Sequence, residues 1–466
     1  MTLAGAALGL LAEASLVCGG LAILSLIPST PWWSQRAARL ALAHLAGSAT
    51  MAWTATVLAL ATGHLQVFPV YGLFVFIALL SWWSKGTSPF HLSNPQKDES
   101  SQPSGTSPWE MLAICAVVLG IVSTGWGLSG DPNMTLDAHW NWALKAKAMY
   151  LAGSFHPIVA QCCTKPNYPV LFPLQSWWIF SHLRGIDEWW PRATGFFFYL
   201  DLVVLTFAAC RAHMRSNWAW IATAIVANDP LHVLMSSEGE PDSAIAAFIL
   251  SSSIFLAAYL AKRENASRVP ALLLLLGASQ TKNEGLAWAA FATVLLVVFD
   301  INWRDYRRAA ITCAWFLIAV APWELFKHRH AMAYGPEEQL ASALTLKLEW
   351  AHRIKEIIRA HISDPIPNSP FFVLLLCIPL MLRRWSAMIK PMLALFAAQI
   401  SAYLVVYFIV ANQAYQLHFV KRGFSQISPA LICICLIGYH RVAEAKRESE
   451  LDEQSPVEPV ALPSAA

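Results

Sequence analysis

Charge is scarce in this chain. Only 13% of its 466 residues are Asp, Glu, Lys or Arg, against roughly 25% in soluble domains. Apolar residues make up 56%, and the mean hydropathy is +0.47. Those values exclude a soluble globular protein and indicate an integral membrane protein. Neither sign dominates: the formal net charge is +3, which gives no reason to expect nucleic acid. No Gly-rich loop opens a helix after a strand, and no soluble stretch is long enough to hold a nucleotide-binding domain, which argues against a nucleotide-linked substrate. The nine Cys have no zinc spacing. Most lie in apolar runs, where a thiol behaves as a small hydrophobe, and the adjacent Cys162 and Cys163 are expected as two free thiols. The first apolar run lacks a basic flank, so it is expected as a retained helix rather than a cleaved signal. No internal repeat relates the two halves, which counts against a repeat-built transporter.

What the chain has is long apolar runs and 21 Trp. Many Trp stand at run ends (Trp32, Trp33, Trp82, Trp83, Trp189, Trp190), where indole prefers the membrane interface. Spanning helices need roughly 17–25 mostly apolar residues. Runs near Leu3–Ile27, Ala38–Thr62, Val67–Trp83 and Met111–Leu128 qualify, and further runs follow from Val170 to Tyr439. The expected fold is all-α: a polytopic transmembrane bundle of about 13–14 helices, with interfacial amphipathic helices in the outer loops. Residues 1–108 are expected as N-terminal accessory helices with a polar loop over Lys85–Ser107, residues 109–440 as the membrane core, and 441–466 as a disordered cytoplasmic tail. Lys and Arg in short loops orient the chain, with the basic loops cytoplasmic. On that count Val170–Leu183 must be short, tilted or re-entrant. Trp218–Met235 reads as one continuous run.

Polar residues interrupt the oil in a few places. Thr135–Pro173 begins with Asp137 and continues as an amphipathic helix to Leu151. Asp137, Asn141 and Lys145 fall at i, i+4 and i+8, on one face. A carboxylate at that place serves either as a helix cap or as a catalytic base beside a phosphate partner. Ser236–Asp242 (SSEGEPD) carries Glu238, Glu240 and Asp242; it is either a solvated turn or a site for sugar hydroxyls or a divalent metal, since hard cations take oxygen ligands. Lys282-Asn283-Glu284 lies between two apolar runs, as a hairpin ion pair or as the wall of a polar cavity. Lys327–Pro370 is expected as a second outer loop with an amphipathic helix. Lys421 and Arg422 precede the last run, on the side that positive-inside counting disfavours. They are either snorkelling residues or a phosphate clamp. Glu13, Asp201, Asp229 and Glu324 lie in apolar runs and are expected to be paired or near interfaces.

Four segments, LDAHWNWALKAKAMYLAG, KPNYPVLFPL, SSEGEPDSAIAAF and GASQTKNEGLAW, occur in this order. Together they resemble the GT-C superfamily of polytopic glycosyltransferases, which includes the protein O-mannosyltransferases and lipid A aminoarabinose transferases. The resemblance covers about Asp131 to Pro429. It implies an inverting transferase in the cell membrane, with a polyprenyl-phosphate sugar as donor, a lipid, glycan or protein hydroxyl as acceptor, and an active site facing the periplasm or exterior. It implies Asp137 as base and Arg422 as the donor-phosphate contact; Lys145, Lys282, Lys421, Tyr168, Glu240, Asp242 and Glu284 join them as candidate substrate-binding residues. No cofactor is implied beyond a divalent metal at Glu238, Glu240 and Asp242. The chain departs from the mannosyltransferases, which carry an Asp-Glu pair, because Ala138 follows Asp137. Two other readings need similar residues: a transporter or flippase of a lipid-linked saccharide, and an oligosaccharide ligase or polymerase, for which His418 and Arg422 share one outer loop.

Overall fold

The computed structural model describes residues 2–28, 35–85, 107–129, 134–160, 162–163, 165–332, 389–409, 422–438 and 440, and the regular elements among them are all helices. Lys421, His418, residues 86–106, residues 333–388 and the tail 441–466 lie outside the described residues. Helices α1 (Leu3–Ser25), α2 (Arg36–Thr62), α3 (Phe68–Lys85) and α4 (Pro108–Ser129) come first. A π-helical turn (Ala138–Ala143) leads into α5 (Leu144–Ala152) and α6 (His156–Val159). Then follow α7 (Leu171–Leu183), α8 (Trp189–Arg211), α9 (Ser216–Ala227), α10 (Pro230–Glu238), α11 (Asp242–Lys262), α12 (Asn265–Thr281), α13 (Asn283–Asn302), α14 (Tyr306–Arg329), α15 (Ile389–Ile409) and α16 (Arg422–Gly438). Among the described residues eight helices are long and apolar enough to cross a bilayer: α1, α2, α3, α4, α8, α11, α13 and α14. The fold is an all-α, polytopic transmembrane bundle.

The helices pack closely where small residues let them. In α1 and α2, a Cβ on Gly20 would collide with the Ala43 carbonyl, and one on Gly47 with the Leu16 carbonyl. Small residues at such a crossing bring two backbones into contact, the main source of helix association in lipid. Both helices also pack on α7 and α8, and their buried residues belong to one continuous core with those of α11, α12 and α16. The N-terminal segment is therefore built into the bundle. A polar knot inside it ties four helices together. His44 meets Asp201 through Nδ1 (2.5 Å) and Glu13 through Nε2 (3.1 Å), and Gln175 donates to both Glu13 oxygens (3.1 and 2.9 Å). Ionisable groups at this depth are costly unless paired, and Glu13 and Asp201 are paired as expected. Asp229 and Glu324 are engaged too: Asp229 accepts from Ser425 Oγ at 3.0 Å, and Glu324 pairs with Lys327 at 2.8 Å.

Two elements differ from the periodicity. The run Trp218–Met235 is two helices, because Asp229 caps α10 by accepting from the Leu231 N–H (3.0 Å) and Pro230 takes the first helical position. Proline suits that position, having no N–H to lose. The amphipathic helix expected from Asp137 instead starts with a π turn, closed by a Leu144 N–H to His139 carbonyl bond. Helix α7 has 13 residues, so it is about 20 Å long against a hydrocarbon core of roughly 30 Å. It is too short to cross that core in full at any tilt, in keeping with the expectation of a short segment at Val170–Leu183.

Candidate active site

Four segments distant in sequence meet at one end of the bundle. Arg422, the first residue of α16, lies at the centre and is buried. Its Nε donates to Asp242 Oδ1 at 3.1 Å and its Nη2 to Asp242 Oδ2, a two-point grip, and Nη2 also pairs with Glu240 Oε2. Its Nη1 donates to Asp137 Oδ2 at 3.0 Å. Lys282 lies beside this group, 3.7 Å from Asp242 and 3.3 Å from Glu284. Four carboxylates thus surround two cations. The helix ends suit that excess: Asp242 and Glu284 occupy the first turns of α11 and α13, where the positive end of the helix dipole favours an acid.

Local chemistry fixes each carboxylate. Gly239 ends α10 at φ +84°, a conformation that side-chain-bearing residues rarely adopt, and a Cβ there would also press on the Pro191 carbonyl and the Arg192 backbone. That turn lets Glu240 and Asp242 point inward. Arg192 on α8 secures it by donating from Nε to the Ser237 carbonyl (2.8 Å) and from Nη2 to the Gly127 carbonyl. Thr135 Oγ1 donates to Glu240 Oε1 at 2.8 Å, and Gln426, one turn after Arg422, donates to Asp242 Oδ1 at 2.7 Å. Gln399 on α15 holds the Glu284 carbonyl at 3.0 Å.

Electrostatics separates two of the acids. Burial alone would push the Asp137 carboxyl up, but the Arg422 guanidinium and the Lys282 ammonium outweigh it and hold Asp137 below the usual carboxylate range. Glu240 is pushed up to about 7, by burial first, against the pull of Arg422 and with repulsion from Asp242 and Asp137. Asp137 is therefore an anion at neutral pH, and Glu240 titrates near it.

The structure brings Asp137, Glu240, Asp242, Lys282, Glu284 and Arg422 together. Lys145, which Asp137 reaches electrostatically, and Tyr168 make hydrogen bonds in the returning loop. Asn141 donates to Asp137 Oδ1. The Lys145 ammonium is fully buried and donates to the carbonyls of Lys165 (3.1 Å) and Tyr168 (3.3 Å). It pins the returning loop. Tyr168 is buried against Trp142, and its hydroxyl accepts from Lys165 Nζ at 3.0 Å. Cys162 and Cys163 are free thiols. Glu238 is half-buried, and among the described residues no three His, Cys, Asp or Glu side chains are grouped so as to hold a metal ion. Glu240 and Asp242 instead spend their charge on Arg422. Arg192, Gln399 and Gln426 escaped the sequence reading. Only Gln426 carried a signal, its i+4 spacing from Arg422.

No family model and no curated protein matches the chain. Among solved structures it is similar to the crystal structure of ArnT from Cupriavidus metallidurans bound to undecaprenyl phosphate. The identity is 14% and the TM-score 0.47, over 74% of this chain and 63% of that one. The similar region thus takes in less than two thirds of the ArnT chain's length.

Proposed function

We propose that the chain is a membrane glycosyltransferase that moves a sugar from a polyprenyl-phosphate donor to a hydroxyl acceptor, with inversion, at the outer face of the membrane. The observation that carries this reading is the Asp137 carboxylate 3.0 Å from Arg422, with Lys282 next to them. A base and two cations at one end of a lipid-embedded bundle are the groups that displacement of a lipid phosphate needs. Arginine grips phosphate oxygens through paired N–H groups. Asp137 takes the proton of the acceptor hydroxyl as its oxygen bonds to the anomeric carbon. The bond from that carbon to the phosphate oxygen breaks, and polyprenyl phosphate leaves as an anion neutralised by Arg422 and Lys282. Glu240 and Glu284 accept hydrogen bonds from sugar hydroxyls. Lys421, adjacent to Arg422 in sequence, adds a third cation for the phosphate.

General-base assistance is worth roughly 10²–10⁴-fold, so Asp137→Asn loses at least that order of turnover. The test incubates purified protein with labelled polyprenyl-phosphate sugars and follows release of polyprenyl phosphate, with and without chelator. Turnover by a well-folded Asp137→Asn protein at the wild-type rate rules the base assignment out.

A second reading, transport of a lipid-linked saccharide, has one observation in its favour. The Glu13–His44–Asp201 knot lies deep among spanning helices, and buried ionisable residues of this kind often mark proton or substrate paths. Movement of a lipid-linked saccharide across reconstituted vesicles, with no sugar transferred, selects this reading over the first.

A further inference from the structure

The three carboxylates on Arg422 are not equivalent. Asp242 grips the Nε and Nη2 edge of the guanidinium and is itself held by Gln426 at 2.7 Å and by Lys282. Glu240 shares Nη2 and is held by Thr135. Their side chains are 4% and 2% exposed. Asp137 alone occupies Nη1, its side chain is 32% exposed, and its other anchor is Asn141 in the turn that follows it. That turn is π-helical, a geometry that appears mostly as local irregularity at functional sites and is less tightly bonded than the α form. Among the described residues Nη1 is therefore the edge of Arg422 whose partner is most open to an incoming anion, and Asp137 is that partner.

We infer that the phosphate of the lipid-linked donor competes with Asp137 for Nη1 of Arg422, so that docking of the donor detaches the base. This rests on the transferase reading above and adds a control to it. With no donor bound, Asp137 is parked on the guanidinium and has little proton affinity for an acceptor or for water. When a phosphate oxygen takes Nη1, Asp137 loses its strongest cationic contact, turns toward the solvent-facing side and becomes a better base beside the leaving group. Asp242 and Glu240 stay in place and keep the guanidinium oriented. The same exchange lowers the negative charge facing the phosphate, which four fixed carboxylates would otherwise repel.

The test is a binding titration of the full-length protein in detergent with farnesyl phosphate, a short prenyl phosphate. The variants are Asp137→Asn, Asp137→Ala and Arg422→Gln, each first shown to elute as a folded species in gel filtration. A competing charge-assisted hydrogen bond is worth enough that its removal tightens phosphate binding by about tenfold or more in both Asp137 variants. Arg422→Gln abolishes that gain when combined with Asp137→Asn. Affinity unchanged or weakened in both Asp137 variants overturns the competition and leaves the transferase reading intact. No binding to any protein overturns both. Tighter binding in the Asp137 variants, with no polyprenyl phosphate released by the wild type in the turnover assay, keeps the competition and removes the transferase.

Discussion

Arg422 neutralises carboxylates that have little else to neutralise them, so its loss has a predictable sign and size. In Arg422→Gln, Asp242 keeps only Lys282 at 3.7 Å and Gln426, and Glu240 keeps only Thr135. Removing one partner of a buried ion pair costs about 3–5 kcal/mol, because the other charge remains buried and unpaired. Lys282 retains part of that compensation, so the lower end, about 3 kcal/mol, is expected. The second variant decides the mechanism. Asp242→Asn alone also destabilises, since it takes from Arg422 its two-point partner and leaves Lys282 with Glu284, but Arg422→Gln with Asp242→Asn removes both charges of the pair. The double variant should be more stable than Arg422→Gln by about 1–2 kcal/mol, a coupling within the range seen for contacting residues. The assay is the midpoint of unfolding in detergent as SDS is added, followed by tryptophan fluorescence. A double variant less stable than either single variant refutes the reasoning, because it would mean that Arg422 acts through packing and not through charge.

Glu240 gives the protein a pH dependence. Its folded value of about 7 lies above the usual 4.5, so the folded state binds the extra proton. Its stabilising contribution is complete below pH 4.5 and is lost as pH rises through about 7. Thermal melts between pH 5 and 8 should fall with pH, and Glu240→Gln should flatten the fall. Gly239→Val forces a branched side chain into φ +84° against Pro191 and Arg192; strain of about 1–3 kcal/mol should lower both melting temperature and phosphate binding. Asp201→Asn breaks the membrane-buried pair with His44 and should destabilise by about 3–5 kcal/mol while leaving prenyl-phosphate affinity within about twofold, as sites far apart act independently.

The residues that could be read in advance share a property: their chemistry is local. Composition and run length yield a helical membrane bundle because lipid leaves the backbone no other partner. The shortness of α7 follows from its own 13 residues. Asp137 and Arg422 stand out because a charge beside an apolar run is conspicuous wherever it occurs. What could not be read is pairing at a distance. Asp137 and Arg422 are 285 positions apart, and no spacing rule links them. The His44 knot draws on four helices, and only its acids are conspicuous in a sequence. The break at Asp229-Pro230 did have a signal, a capping acid before a proline, which the apolarity of its surroundings concealed.

The 285 positions between Asp137 and Arg422 have a consequence for how the protein is made. At roughly 5–20 residues per second, the ribosome adds Arg422 about 15–60 s after Asp137. Through that interval Asp242, at the head of α11, has Lys282, added 40 residues later, as its cationic partner among the described residues. Until α16 arrives, the heads of α11 and of the π turn must stay at the water boundary, where their acids remain hydrated. The last described helix is thus a closing piece. Its arginine holds the acidic ends together, and a nascent chain interrupted before residue 422 lacks that shared partner of Asp137, Glu240 and Asp242.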